Sequence, residues 1–270
     1  MAKPPIKVYV QYHGNMMCDY QWLVAKPERL ASVHGCPCAT WGPSPSHTVI
    51  VEHPDGRLLF DVTCPPDWRD RWTPLARDWF PYQDVTSEQY FVERLKQLKL
   101  EPSDFTYVAL SHLHMDHVGN LGLFQHSNAK VIVHQKEFDG AMAIPAEAQG
   151  FYLKSDYHMD GLDWIQVTQD TEVMDGVHLL EVPGHTWGTM CLMVHLPHTG
   201  TMIFTSDAIF MRESYGPPPV EGIVVWDSLG WLHSVERIRN FATLHNATVI
   251  FGHDLKQIKE MRLAPDAYYD

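Results

Sequence analysis

No apolar run in the 270-residue chain approaches the roughly 20 residues of a helical membrane span, which argues against a transmembrane class. Basic residues are scarce: 20 Lys and Arg stand against 33 Asp and Glu, a formal net charge of −13. They form no cluster, so the basic face of a nucleic-acid-binding protein is missing, and a polyanionic substrate is equally disfavoured. A neutral or weakly charged small molecule fits this balance. The five cysteines, Cys18, Cys36, Cys38, Cys64 and Cys191, are an odd number without the spacing of a disulfide framework. Cys36-Pro-Cys38 is too tight for an ordinary bridge, and both are read as reduced thiols. There is no Gly-x-Ser-x-Gly elbow for a serine hydrolase, no 20–50-residue repeat, no low-complexity tract and no linker. Met1-Ala-Lys-Pro-Pro5 is followed by no apolar signal core, so the expectation is a cytoplasmic protein forming a single domain over 1–270.

What the chain has is histidine, 17 of them, and six residues that use it in a pattern: His112-Leu-His114-Met-Asp116-His117. The run follows Phe105–Ser111, an apolar segment that reads as a buried strand. A spacing of two puts His112 and His114 on one face of extended chain, whereas a helix would splay them. Asp116 is expected to N-cap the short segment that follows, and His117 then points elsewhere. One loop can thus serve two metal ions, two histidines to one and Asp plus His to the other.

Three further strand-like segments end in ligand-type residues. Val177–Val182 runs into Pro183-Gly-His185-Thr-Trp-Gly188, Thr201–Thr205 into Ser206-Asp207, and Ala247–Phe251 into Gly252-His253. Rigid scaffolds present functional side chains at strand ends in this way. Nitrogen and carboxylate donors without cysteine suit Zn²⁺, Mn²⁺, Fe²⁺ or Co²⁺. Five histidines and two aspartates are too many for one tetrahedral ion and match two ions sharing a carboxylate.

With Asp61 in Leu-Leu-Phe-Asp61, the 112–117 run, Pro-Gly-His185, Ser-Asp207 and Gly-His253 in this order, the chain resembles the metallo-β-lactamase superfamily. The spacing looks most like its N-acyl-homoserine lactonase branch, as do the phrase Val51–Asp61, the passage from Thr205-Ser-Asp207 to Arg212-Glu-Ser-Tyr215, and the segment Asp227–Arg239. The resemblance implies an α+β fold, a four-layer αββα sandwich with the metal site at one edge of its sheets, and a first half running to about residue 170. It implies one metal on His112, His114 and His185, a second on Asp116, His117 and His253, Asp207 bridging them, and Asp61 orienting a ligand. Two zinc ions are the expected cofactors, a lactone the expected partner, and a homodimer is common among such relatives. The implied reaction is opening of a lactone, foremost an N-acyl homoserine lactone (quorum quenching), by a hydroxide bridging the metals, with Asp116 or Asp207 carrying a proton to the leaving alkoxide.

One position departs from that branch. It typically carries a Tyr three residues after the bridging Asp; here the residue is Phe210, which cannot donate a hydrogen bond. Tyr215 is the nearby candidate to replace that hydroxyl. Met16, Trp22 and Trp72, with aromatic, irregular stretches near 65–82 and 141–157, are expected to line an apolar pocket with Phe210. The rival readings are another lactonase, a thioester hydrolase resembling hydroxyacylglutathione hydrolase, and a non-catalytic metal-binding protein on the same fold.

Overall fold

The computed structural model describes residues 6–26, 40–83, 85–148 and 150–270. Cys36 and Cys38 lie outside them. Among the described residues, twelve strands form two sheets. The first contains β1 (Lys7–Asp19), β2 (Trp41–His53), β3 (Gly56–Phe60), β4 (Tyr82–Gln83), β5 (Tyr107–Ala109), β6 (Lys130–His134) and β7 (Asp163–Val167), in the spatial order β4-β1-β2-β3-β5-β6-β7. The second contains β8 (Thr171–Met174), β9 (Val177–Glu181), β10 (Met190–Leu196), β11 (Gly200–Phe204) and β12 (Thr248–Ile250), in the order β12-β11-β10-β9-β8. The chain passes from one sheet to the other between residues 167 and 171, close to the boundary that the resemblance implies.

Period-two alternation explains why the strands read as continuous apolar runs. On β2, Val49 and Val51 join the cluster between the sheets while Ile50 joins the one behind. On β10, Leu192 and Val194 face the first sheet, and Cys191 and Met193 face away from it. Both faces of both sheets are therefore covered, which a one-sided alternating pattern would not allow. Helices Phe91–Gln97 and Gln135–Ala143 pack behind the first sheet, through Phe91, Leu95 and Ala141. The 17-residue helix Ser228–Leu244 covers the second through Trp231, Val235 and Ile238. This is the expected αββα order of layers.

β2 starts six residues earlier than its apolar core at 47–53 suggests, and takes in Pro43 and Pro45. The reason is local: β3 pairs only with Val49–His53, so the stretch holding both prolines has β1 as a neighbour on one side alone. A missing N–H is tolerated there. Among the described residues, no helix is long and apolar enough to cross a membrane.

Leu192 is fully buried between the sheets. Leu192→Ala is expected to destabilise the protein by about 2–5 kcal/mol, read as a lower denaturant midpoint with the slope of the transition unchanged.

Candidate metal centre

Five strands deliver side chains to one rim of the sandwich. β3 ends at Asp61, β5 leads into Ser111–His117, β9 into Gly184-His185, β11 into Ser206-Asp207 and β12 into Gly252-His253. Several of these turns are conformationally demanding. Asp61 and Ser206 hold left-handed backbone (φ 62° and 46°), and Gly184 has φ 134°. A Cβ on Gly184 would come within 2.4 Å of the Trp231 backbone, so only glycine lets the His185 turn sit on the long helix.

The ligand atoms gather into two groups, each within 4.8 Å: His112, His114, His185 and Asp207, and Asp116, His117, His253 and Asp207. In the first, three imidazole nitrogens face one another: His112 Nε2 and His114 Nδ1 are 3.0 Å apart, and His185 Nε2 lies 3.2 and 3.1 Å from them. Asp207 belongs to both. Its Oδ2 is 3.4 Å from His185 Nε2, and its Oδ1 is 3.3 Å from His117 Nε2 and 3.0 Å from His253 Nε2.

The outer nitrogens fix which way the lone pairs point. His185 Nδ1 donates to Val224 O and His253 Nδ1 to Pro45 O, each at 2.8 Å. His117 Nδ1 donates to Asp61 Oδ2, also at 2.8 Å. Ser111 Oγ donates to Asp61 Oδ2 and can then accept from His112 Nδ1 (2.9 Å) and from Ser206 Oγ (2.9 Å). Asp61 thereby sets the tautomer of one histidine in each group, directly for His117 and through Ser111 for His112. In all four rings the inward Nε2 is left with a lone pair. Nε2 of His117 and Oδ1 of Asp207 are buried without a hydrogen-bond partner. Buried acceptors aimed at each other are unfavourable unless cations lie between them, so the residues fit two metal ions.

Charge supports the same arrangement. Burial, reinforced by His117, His114 and His185, holds His112 well below the usual histidine range, and burial with His185 does the same for His114. Burial opposes protonation of His117 and His253, but Asp207 and Asp116 outweigh it and raise both. The carboxylates thus favour cationic charge between these side chains. Asp207 is pushed up by burial, yet His117 and His253 hold it well below the carboxylate range.

Asp116 is not the N-cap expected of it. His114 takes that position on the short helix Met115–Val118, which frees the Asp116 carboxylate for the second group, 3.5 Å from His117 Nε2. Of the expected pocket residues, Met16, Trp22 and Phe210 line a cavity of ≈ 30 Å³ over the two groups. Trp22, Phe151, His114, His185 and Val224 also bound an adjoining cavity of ≈ 280 Å³ that reaches Trp187 and Trp226. Trp72 and Tyr215 do not line either cavity. Trp72 is 2% exposed and packs on Trp68, since the 65–82 stretch buries its first tryptophans and offers Phe80 to the pocket instead. Tyr215 is turned toward Phe251, under the Arg239 guanidinium, so it does not replace the hydroxyl absent at Phe210.

Glu137 escaped the sequence reading. It lies in the first turn of the helix Gln135–Ala143, where a glutamate ordinarily meets solvent, yet it is fully buried. It accepts from Leu113 N (3.0 Å), Tyr152 Oη (2.9 Å) and Gly188 N (3.2 Å), joining the two histidine loops to each other and to the aromatic wall. Burial raises its carboxyl against these hydrogen bonds. No motif marks it; only the fold brings its donors together.

An αββα sandwich carrying paired His/Asp groups at one rim defines a metallohydrolase with a dinuclear type of site. A family model of the metallo-β-lactamase superfamily matches residues 41–253, and the chain belongs to that superfamily, in its N-acyl homoserine lactonase-like branch. The N-acyl homoserine lactonase AttM of Rhizobium radiobacter is 31% identical over 229 residues, 81% of this chain and 85% of the relative. The N-acyl homoserine lactonase AiiB of Agrobacterium fabrum is 30% identical over 98% of this chain and 99% of its own. A solved N-acyl homoserine lactone hydrolase with the product N-hexanoyl-L-homoserine at its catalytic metal centre is similar at TM-score 0.83, with 25% identity and 98% of each chain covered.

Every neighbour of Asp61 donates to it, so an amide nitrogen at either oxygen would meet a donor. Asp61→Asn is expected to weaken metal binding about 10- to 100-fold, measured by competition with a chromophoric chelator, while the far-ultraviolet dichroism stays unchanged.

Proposed function

We propose that this protein is a metal-dependent lactonase that hydrolyses N-acyl homoserine lactones to the ring-opened N-acyl homoserines. His112, His114 and His185 hold one divalent ion, Asp116, His117 and His253 hold a second, and Asp207 is shared. Zinc is the proposed metal for both, since borderline nitrogen and carboxylate donors in compact groups suit it. The observation that carries the reading is the Asp207 carboxylate, one oxygen to each group, on the floor of an apolar-walled cavity in a chain of the lactonase branch.

When bound, such a metal pair activates water at neutral pH and stabilises charge on the attacked and departing oxygens of the ester. The chain's own residues do the rest. Asp61 and Ser111 keep the imidazole lone pairs turned inward. Asp116 and Asp207 are the carboxylates at the floor of the cavity, placed to take a proton from the attacking water and return it to the alkoxide as the ring opens. Trp22, Phe151 and Val224 exclude water from the ester and lead outward into the larger cavity, whose apolar lining suits an acyl chain. Its rim carries exposed Ile223 and Trp226, the latter 67% exposed.

The reading includes a single domain over 1–270, acting in the cytoplasm as a homodimer. Free, buried Cys18, Cys64 and Cys191 suit a reducing compartment. Exposed Leu229 and Leu232, beside that rim, suit a subunit contact, to be checked by analytical ultracentrifugation.

The deciding experiment is a panel of short- and long-chain N-acyl homoserine lactones, other lactones and thioesters, given to protein loaded with two equivalents of zinc. Chelator-sensitive opening of the acyl homoserine lactones is the expected result, with Asp207→Ala reducing kcat/KM by at least about 10³-fold. Turnover of thioesters alone would move the substrate class, and silence on all substrates at full metal loading would refute catalysis.

A further inference from the structure

Phe210 leaves the cavity over the metal ligands one hydroxyl short. Its ring stands between His185 and His253, with centroids 5.3 and 5.9 Å away, and offers nothing to a polar substrate atom. The same cavity holds a hydroxyl to spare. Ser44 lines it together with Asp116, Asp207, His253 and Phe210. It is 1% exposed, and its Oγ has no nitrogen or oxygen partner. Its polar neighbour is the Cys18 thiol, a weak partner that burial holds in the protonated form by pushing it up to about 12. Buried hydroxyls ordinarily find a partner, because leaving one unmatched forfeits the hydrogen bond it had with water.

Position is fixed by the sheet. Ser44 pairs with Met16 across β1 and β2, and the next residue, Pro45, takes the hydrogen bond of His253 Nδ1 at 2.8 Å. Ser44 is therefore anchored on the Asp116–His253 side of the site by the strand that also orients His253. It sits in the half of β2 where Pro43 and Pro45 remove two backbone donors, so the side chain is the local source of an O–H or N–H facing the cavity.

We infer that Ser44 is a substrate-positioning residue, its Oγ–H donating to an oxygen of the lactone ester and supplying from the β2 side the contact that Phe210 cannot make. The hydrogen stays on Oγ throughout; the contact orients the ester and stabilises the charge that grows on its oxygens. The inference rests on the lactonase reading and adds to it the group that holds the ester.

The test is a double-mutant cycle on the zinc-loaded protein with N-hexanoyl homoserine lactone, comparing the unmodified chain, Ser44→Ala, Phe210→Tyr and the double variant. Melting temperatures and metal content are measured alongside. Ser44→Ala is expected to lower kcat about tenfold, the effect of one neutral hydrogen bond, with KM changed far less and the melting temperature held. Phe210→Tyr is expected to recover a large part of that loss in the Ser44→Ala background, so the two substitutions are strongly non-additive. Unchanged kinetics in Ser44→Ala, or losses that simply add, would overturn the assignment. A loss that tracks a fall in melting temperature and is not recovered by Phe210→Tyr would reduce Ser44 to packing against Cys18. Inactivity of the unmodified, fully loaded chain on the lactone would instead overturn the lactonase reading itself.

Discussion

One carboxylate, Asp207, presents a separate oxygen to each of two groups of buried imidazoles, and the organisation of the rim follows from it. A buried anion in that position must be matched by positive charge on both sides. Asp207 and Asp116 accordingly favour positive charge at His117 and His253, and each of the two groups fits a cation. The surrounding layers serve to keep this charge dense, dry and rigid. Asp61 is committed to orienting His117 and Ser111, the Asp116 carboxylate is freed by the placement of the helix cap, and neutral His112 and His114 complete the other side.

Such a concentration of polar atoms is tolerable because it lies at the ends of strands and not within them. The sheets bury apolar residues on both faces, so the backbone at the rim is held by packing far from the site. That packing supports left-handed residues at Asp61 and Ser206 and the close approach of Gly184 to Trp231. Strain of this kind persists only where the surroundings over-determine it. Precision in the ligand positions is thus a product of the hydrophobic layers, transmitted through five short turns.

Much of this was legible in the sequence, for physical reasons that can be named. Spacing of two, strand-end placement and side-chain chemistry are local properties, so the seven histidine and aspartate candidates stand out in the sequence, while their division into two groups is what the family resemblance implies. The order of strands and helices points to packed layers, and the family resemblance supplies their αββα arrangement. What escaped depends on who meets whom. The extra length of β2 needed knowledge of which strand lies beside Pro43 and Pro45. Residue type and nearness in sequence point Trp72 and Tyr215 toward the pocket, whereas packing turns them toward Trp68 and Phe251. Glu137 and Ser44 carry no signal, since a glutamate in a first helical turn and a serine between prolines are ordinary until their surroundings are known.

The clasp made by Glu137 bears on how this site could change over generations. Tyr152 is at once a wall of the outer cavity and a donor to the carboxylate that ties the two histidine loops together. A substitution that reshaped the wall at Tyr152 would also slacken the frame around the paired His/Asp groups, so selection for a new substrate would meet a penalty there. Trp22, Ile223 and Trp226 border the same space without such a tie. The outer rim can accordingly change shape with less cost to the frame than the inner wall can.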